Sequence, residues 1–151
     1  MQNLIKQEQF EIEVLEQLHK NRILNKLVFG GGTMLRLCYG LNRFSVDLDF
    51  WLIKDINPNK LFQTLKTFLE KTYTLTDAQN KFYTILFELK SSKYPRRLKI
   101  EIRKEKKLIK TERAIAYSQY ADTQVLLTVV ALDEMMKTKI QAFIDRREIR
   151  D

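Results

Sequence analysis

Asp47 and Asp49 are separated by a single apolar residue in the run Ser45-Val46-Asp47-Leu48-Asp49-Phe50. Side chains of an extended chain alternate with period two, so Val46, Leu48 and Phe50 face one way and the two carboxylates share the other face. Carboxylates held side by side repel unless positive charge lies between them, and a hard divalent cation with its bound phosphates meets that need. Just upstream, Gly30-Gly31-Gly32-Thr33 follows the short apolar run Leu27-Val28-Phe29. Glycines there let backbone N–H groups and a helix N-terminus approach a triphosphate with no Cβ in the way. Together the two stretches have the layout of a metal-dependent phosphoryl or nucleotidyl transfer site.

The elements that must position these groups read as strand, Gly-rich turn, helix, short loop and strand. The helix is expected from Thr33 to about Tyr39, with Gly40 ending it. Arg36 lies one turn into that helix and Arg43 just beyond it, both near where phosphates would lie, although either also reads as an ordinary surface charge. Cys38, on the same helix, reads as core. An N-terminal helix over residues 4–25 carries an apolar stripe of Phe10, Val14 and Leu18, continued by Ile23, Leu24 and Leu27. It also carries His19, the one histidine, which has no metal-ligating partner in sequence and reads as structural.

Further along, Pro58 suits the start of a helix reaching about Lys71, with Leu61, Leu65, Phe68 and Leu69 on one face. Lys81 to Lys90 reads as a strand, and Ser91 to Pro95 turns it into a second strand over Arg97 to Lys104. In the returning strand Leu98, Ile100 and Ile102 face one way, and Lys99, Glu101 and Arg103 the other. Residues 114–122 show no strong period, Val125 to Val130 reads as a strand, and a last helix is expected from Leu132 to about Arg147.

A chain of 151 residues fits one domain, 1–151, and can bury roughly 70% of its unfolded surface. Its 44% hydrophobic and 11% aromatic content excludes a disordered chain. One cysteine excludes an internal disulfide framework and suits a reducing cytoplasm. Apolar runs fall short of the roughly 20 residues that span a bilayer, and the N-terminus lacks a signal-peptide pattern, so no membrane partner and a cytoplasmic location are expected. The net charge of +8 arises within residues 90–113, where eleven Lys/Arg face three Glu. Such a tract is either a solvated basic hairpin or the footprint of a polyanion binder, with Lys93, Arg96, Arg97, Lys99, Arg103 and Lys104 as candidate RNA-binding residues.

The block Gly31-Gly32-Thr33-Met34-Leu35-Arg36, then Arg43-Phe44-Ser45-Val46-Asp47-Leu48-Asp49-Phe50, resembles the AbiEii-type nucleotidyltransferases. These belong to the DNA polymerase β-like nucleotidyltransferase superfamily and act as toxins of type IV toxin–antitoxin and abortive-infection systems. Lys139-Ile140-Gln141-Ala142-Phe143, Arg146 and Arg150-Asp151 resemble a second pattern of that family. The resemblance implies an α/β (α+β) nucleotidyltransferase fold, a mixed sheet with helices packed against it, with a catalytic core over 27–151. It implies Asp47 and Asp49 as catalytic metal ligands for Mg²⁺ or Mn²⁺. A third carboxylate on a later strand completes the cluster in the superfamily, and Glu101 is the candidate here, although a Glu between Lys99 and Arg103 also reads as part of a charge ladder. Gly31, Gly32, Thr33, Arg36, Arg43 and Ser45 would shape the nucleotide pocket. Lys139 and Arg146, seven residues apart on one helix, would bring cations to the triphosphate, Lys139 also serving catalysis. Past the Arg-Asp pair the family continues into a further helical region, which is expected to be absent from this chain.

The expected function is metal-dependent transfer of a nucleoside monophosphate from an NTP to an acceptor hydroxyl, with RNA, tRNA first, as acceptor and a cognate antitoxin as partner. Two other readings use the same residues. One is a nucleotidyltransferase acting on a protein or small molecule; the other is a catalytically silent nucleic-acid-binding module.

Overall fold

The computed structural model describes residues 1–53, 55–105, 110–137, 141 and 144. Helix α1 (Gln2–Lys20) precedes β1 (Leu27–Gly30), α2 (Gly31–Tyr39) and β2 (Leu48–Leu52). Helix α3 (Pro58–Thr72) leads into β3 (Thr74–Asn80), β4 (Thr84–Lys90), β5 (Leu98–Arg103), β6 (Thr111–Ala116) and β7 (Val125–Val130). Residues 132–137 are helical. The strands form one mixed sheet in the order β3-β4-β5-β2-β1-β7-β6. β2 runs parallel to β5 and β1 parallel to β7, while β1–β2 and the remaining pairs are antiparallel. This is the mixed sheet with packed helices that the sequence implied.

The sheet has two unlike faces over β4, β5 and β2. Ile85, Phe87, Leu89, Leu98, Ile100, Ile102, Leu48 and Phe50 are fully buried. Phe62 of α3 stacks on Phe87 at 5.2 Å, and Phe10 of α1 stacks on Tyr94 at 4.6 Å. The alternate residues Leu86, Glu88, Lys99, Glu101, Arg103 and Asp49 are half-buried or exposed. Period-two alternation thus leaves one face open for chemistry while the other builds the core.

Several ends fall where local chemistry stops the element. Gly40 takes φ 71°, and its N–H and that of Leu41 return to the carbonyls of Arg36 and Leu35, closing α2 in the left-handed manner that glycine permits. Asn57 Oδ1 accepts from the N–H groups of Asn59 and Lys60, and Pro58 occupies the first turn of α3. The first helix is shorter than the expected 4–25. It ends at Lys20 because Asn21 N–H and Nδ2 both return to Gln17 O and Arg22 adopts φ 61°. The residues from 81 to 83 do not extend β4 but turn it into β3, with Lys81 N–H donating to Thr84 O.

Candidate active site

β1 delivers the chain into the glycine turn. Gly31 has φ 77°, a left-handed conformation that L side chains rarely adopt, and the chain then enters α2 at once. A Cβ on Gly31 would lie 2.6 Å from Oδ2 of Asp49, so the carboxylate of Asp49 leans directly over the turn. A Cβ on Gly32 would lie 3.1 Å from Oγ of Ser45. The glycines therefore give close approach on two sides, to a carboxylate and to a hydroxyl. Gly32, Arg43 and Ser45 line a pocket of about 300 Å³ together with Leu41, Phe44 and Val46. The first N–H groups of α2 have no partners within their own helix, which suits an anion at this end.

Asp47 stands one residue before the first residue of β2, so the two aspartates do not share a strand as expected. Its place is fixed by its backbone: buried Thr33 donates Oγ1 to Asp47 O. One residue earlier, Gln7 of α1 donates Nε2 to Val46 O at 3.1 Å and to Arg97 O at 3.0 Å. This buried amide ties the approach to β2 to the approach to β5. The parallel register then sets Asp49 opposite Glu101.

Three carboxylates consequently share one electrostatic neighbourhood. Asp49 is pushed from 3.8 to about 6, first by burial, then by Glu101 and Asp47, against a lowering by Arg103. Asp47 is raised as well, by burial first, with Lys99 and Arg96 opposing and Glu101 and Glu88 adding. None of Asp47, Asp49 and Glu101 pairs with a cationic side chain within 4 Å among the described residues. Nor do any three His, Cys, Asp or Glu side chains there form a group that could hold a metal ion. The donor set fits a hard cation whose remaining oxygen ligands come from substrate phosphates and water.

Arg36 is placed differently from the phosphate role suggested for it. It pairs with buried Glu8 of α1, donates to Leu41 O at 3.2 Å and stacks 3.8 Å over the Phe44 ring. Glu8 also accepts from Ser118 Oγ at 2.6 Å. Arg36 thus holds the loop that carries Arg43 and Ser45, while Arg43 itself is exposed at the pocket. The buried polar set Gln7, Glu8 and Glu11 escaped sequence reading, since Glu and Gln on an amphipathic helix look solvated. Glu11 is pushed from 4.5 to about 9 by burial, then by Glu8 and Asp47, so it is neutral at pH 7. Gln7 Oε1 and Glu11 Oε2 are buried with no hydrogen-bond partner among the described residues.

The basic tract divides. Lys93 pairs with Glu13 and Arg97 with Glu88 near the β4–β5 turn, which also holds Arg96. Lys99 and Arg103 lie with Glu101 on the open face, and Lys104 follows β5. Lys106, Lys107, Lys139 and Arg146 lie outside the described residues. His19 is exposed at the end of α1. No helix among the described residues is long and apolar enough to cross a membrane.

Residues 13–151 match the family described as "Nucleotidyl transferase AbiEii toxin, Type IV TA system". A Helicobacter pylori protein whose crystal structure is described provisionally as a nucleotidyltransferase aligns with TM-score 0.52 and 22% identity, over 87% of this chain and 57% of that one. A second H. pylori structure, JHP933, aligns at 0.49 and 22%, over 85% of this chain and 56% of that one. The chain thus spans little more than half the length of these two proteins. At such identity the first likeness shows a shared fold. No curated protein matches the chain.

Proposed function

The chain belongs to the AbiEii nucleotidyl transferase toxin family, and on that premise we propose that it transfers a nucleoside monophosphate from an NTP to an acceptor hydroxyl of RNA, tRNA first among candidates. The observation that carries this reading is the carboxylate of Asp49 leaning over Gly31 while Asp49 lies opposite Glu101 in the β2–β5 ladder. Phosphates on the glycine turn would lie against the carboxylate cluster, the juxtaposition that nucleotidyl transfer needs.

Asp47 and Asp49 would hold Mg²⁺ or Mn²⁺ together with phosphate and water oxygens, and Glu101 would close on the cation from the facing strand. Once bound, such a cation offsets phosphate charge and makes an acceptor hydroxyl easier to deprotonate. The backbone N–H groups of Gly31, Gly32 and Thr33 face the phosphates, and Arg43 and Ser45 bind them from the loop. Lys139 and Arg146 add charge as pyrophosphate leaves. Lys93, Arg96, Arg97, Lys99, Arg103 and Lys104 track the RNA backbone. A cognate antitoxin restrains the activity in a cytoplasmic setting.

The test is label transfer: protein, Mg²⁺ and each α-labelled NTP in turn, with total tRNA as acceptor and Asp47→Ala alongside. Labelled RNA that disappears in the variant supports the reading and identifies the nucleotide. Label on protein instead of RNA redirects the acceptor to protein, and no label anywhere counts against transfer by this chain.

A further inference from the structure

The turn between β3 and β4 carries an unusual cost. Phe82 is 85% exposed and Tyr83 75%, the two most exposed aromatic side chains among the described residues. Their ring centroids lie 4.8 Å apart at 86°, so each presents a face at right angles to the other. Paired exposed aromatics at one loop tip, unlike scattered single ones, mark a surface that meets something.

Cations flank this tip. Lys104 N–H donates to Tyr83 O at 2.9 Å and its Nζ donates to Lys81 O, fastening the end of β5 to the turn. Arg103 pairs with Thr84 in the β4–β5 ladder, and its guanidinium lies 5.0 Å over the Trp51 ring. Phe82, Tyr83, Arg103 and Lys104 help line a cleft of about 550 Å³. The cleft and the carboxylates share the open face of the sheet: Arg103 follows Glu101 by two residues on β5, and Trp51 follows Asp49 in the same way on β2. A second copy of this chain is a poor occupant, since it would set Lys81, Arg103 and Lys104 against like charges on a molecule of net charge +8. Unpaired nucleotides match both features, offering base faces to the rings and phosphates to the cations, whereas bases in a duplex are already stacked.

We propose that the Phe82–Tyr83 tip, with Arg103 and Lys104 beside it, is a stacking platform for unpaired bases of the acceptor RNA. This rests on the reading of that acceptor as RNA. Such a platform would favour single-stranded ends over duplex, a preference that phosphate contacts alone do not confer.

The test is fluorescence anisotropy with a labelled single-stranded RNA of about 12 nucleotides, within the span that such sites cover, and with the same sequence as duplex. The wild type binds the single strand more tightly. Phe82→Ala/Tyr83→Ala weakens binding about tenfold for each stacked base lost, without changing the slope of log affinity against log salt. Arg103→Gln/Lys104→Gln lowers that slope instead. Phe82→Trp binds as wild type does, and the fluorescence that it adds to that of Trp51 is quenched by the RNA. Unchanged circular dichroism checks that each variant folds. Equal single-strand binding by wild type and the double-Ala variant overturns the platform while leaving the RNA acceptor standing, and gives the tip to a protein partner. Equal affinity for duplex also overturns it. A wild type that binds no single strand overturns both the platform and the RNA reading.

Discussion

Replacing Asp49 with Asn should stabilise the metal-free protein at alkaline pH. In the native state the ionised form of Asp49 is disfavoured by burial and by Glu101 and Asp47, and its proton affinity moves from 3.8 to about 6. The sign follows from linkage. Between these two values the native state holds a proton that the unfolded state has released, so stability falls as pH rises through this window and the penalty is complete above about 6. A shift of that size corresponds to about 3 kcal/mol, which partial contact with solvent reduces to about 1.5 kcal/mol. For a chain of this length that is about 4 °C in Tm. Thermal unfolding of wild type and Asp49→Asn at pH 8 and at pH 4 checks it. The variant should be the more stable at pH 8, and the gap should close in acid. Mn²⁺ should raise the wild-type Tm at pH 8 by binding the folded state, and raise that of the variant less. An Asn variant less stable than wild type at pH 8, with a gap that does not shrink in acid, refutes the crowded-carboxylate account.

Other outcomes follow from the same geometry. Gly31→Ala should cost about 1–2 kcal/mol from the left-handed backbone and should also displace Asp49, so label transfer falls further than stability alone explains. Glu8→Gln breaks the buried pair with Arg36 and should destabilise by about 3 kcal/mol in urea titration, loosening the loop that carries Arg43 and Ser45. Glu11→Gln should behave oppositely. Glu11 must stay protonated up to about 9 to remain buried, so the Gln variant should gain Tm at pH 8 and match wild type near pH 5. Burial pushes Cys38 up to about 12, and a disulfide reagent at pH 8 should label the native thiol far more slowly than the urea-unfolded one.

The central block was legible because its signals are local. Glycine at a left-handed turn, Gly40 at a helix end, Asn57-Pro58 at a helix start and the alternation of Leu98 to Arg103 each act within a few residues. β3 carries no such signal. Thr-Leu-Thr-Asp-Ala-Gln-Asn is largely polar because the strand lies at the sheet edge, with a register irregularity between Leu75 and Asp77. β6 is the other edge, and its exposed Thr-Glu-Arg start carries no apolar alternation. The register that places Glu101 opposite Asp49 is a long-range fact, and alternation within β5 could only nominate the residue. The burial of Gln7 and Glu8 was hidden for the same reason, since their partners Val46, Arg97, Arg36 and Ser118 are distant in sequence.

The pairing of β2 with β5 bears on the order in which this molecule comes into being. β3, β4 and β5 form a meander of neighbours in sequence, and β1, α2 and β2 form another compact unit, each closing over short loops. The seam between them brings residue 49 to residue 101, and the insertion of β7 beside β1 comes from later still. A nascent chain that has just displayed Asp47 and Asp49 therefore has glycine turn and aspartates but no facing glutamate. In refolding from urea, strand content should return in an early phase, and carboxylate-dependent Mn²⁺ binding only in a later one, when the two halves of the sheet meet.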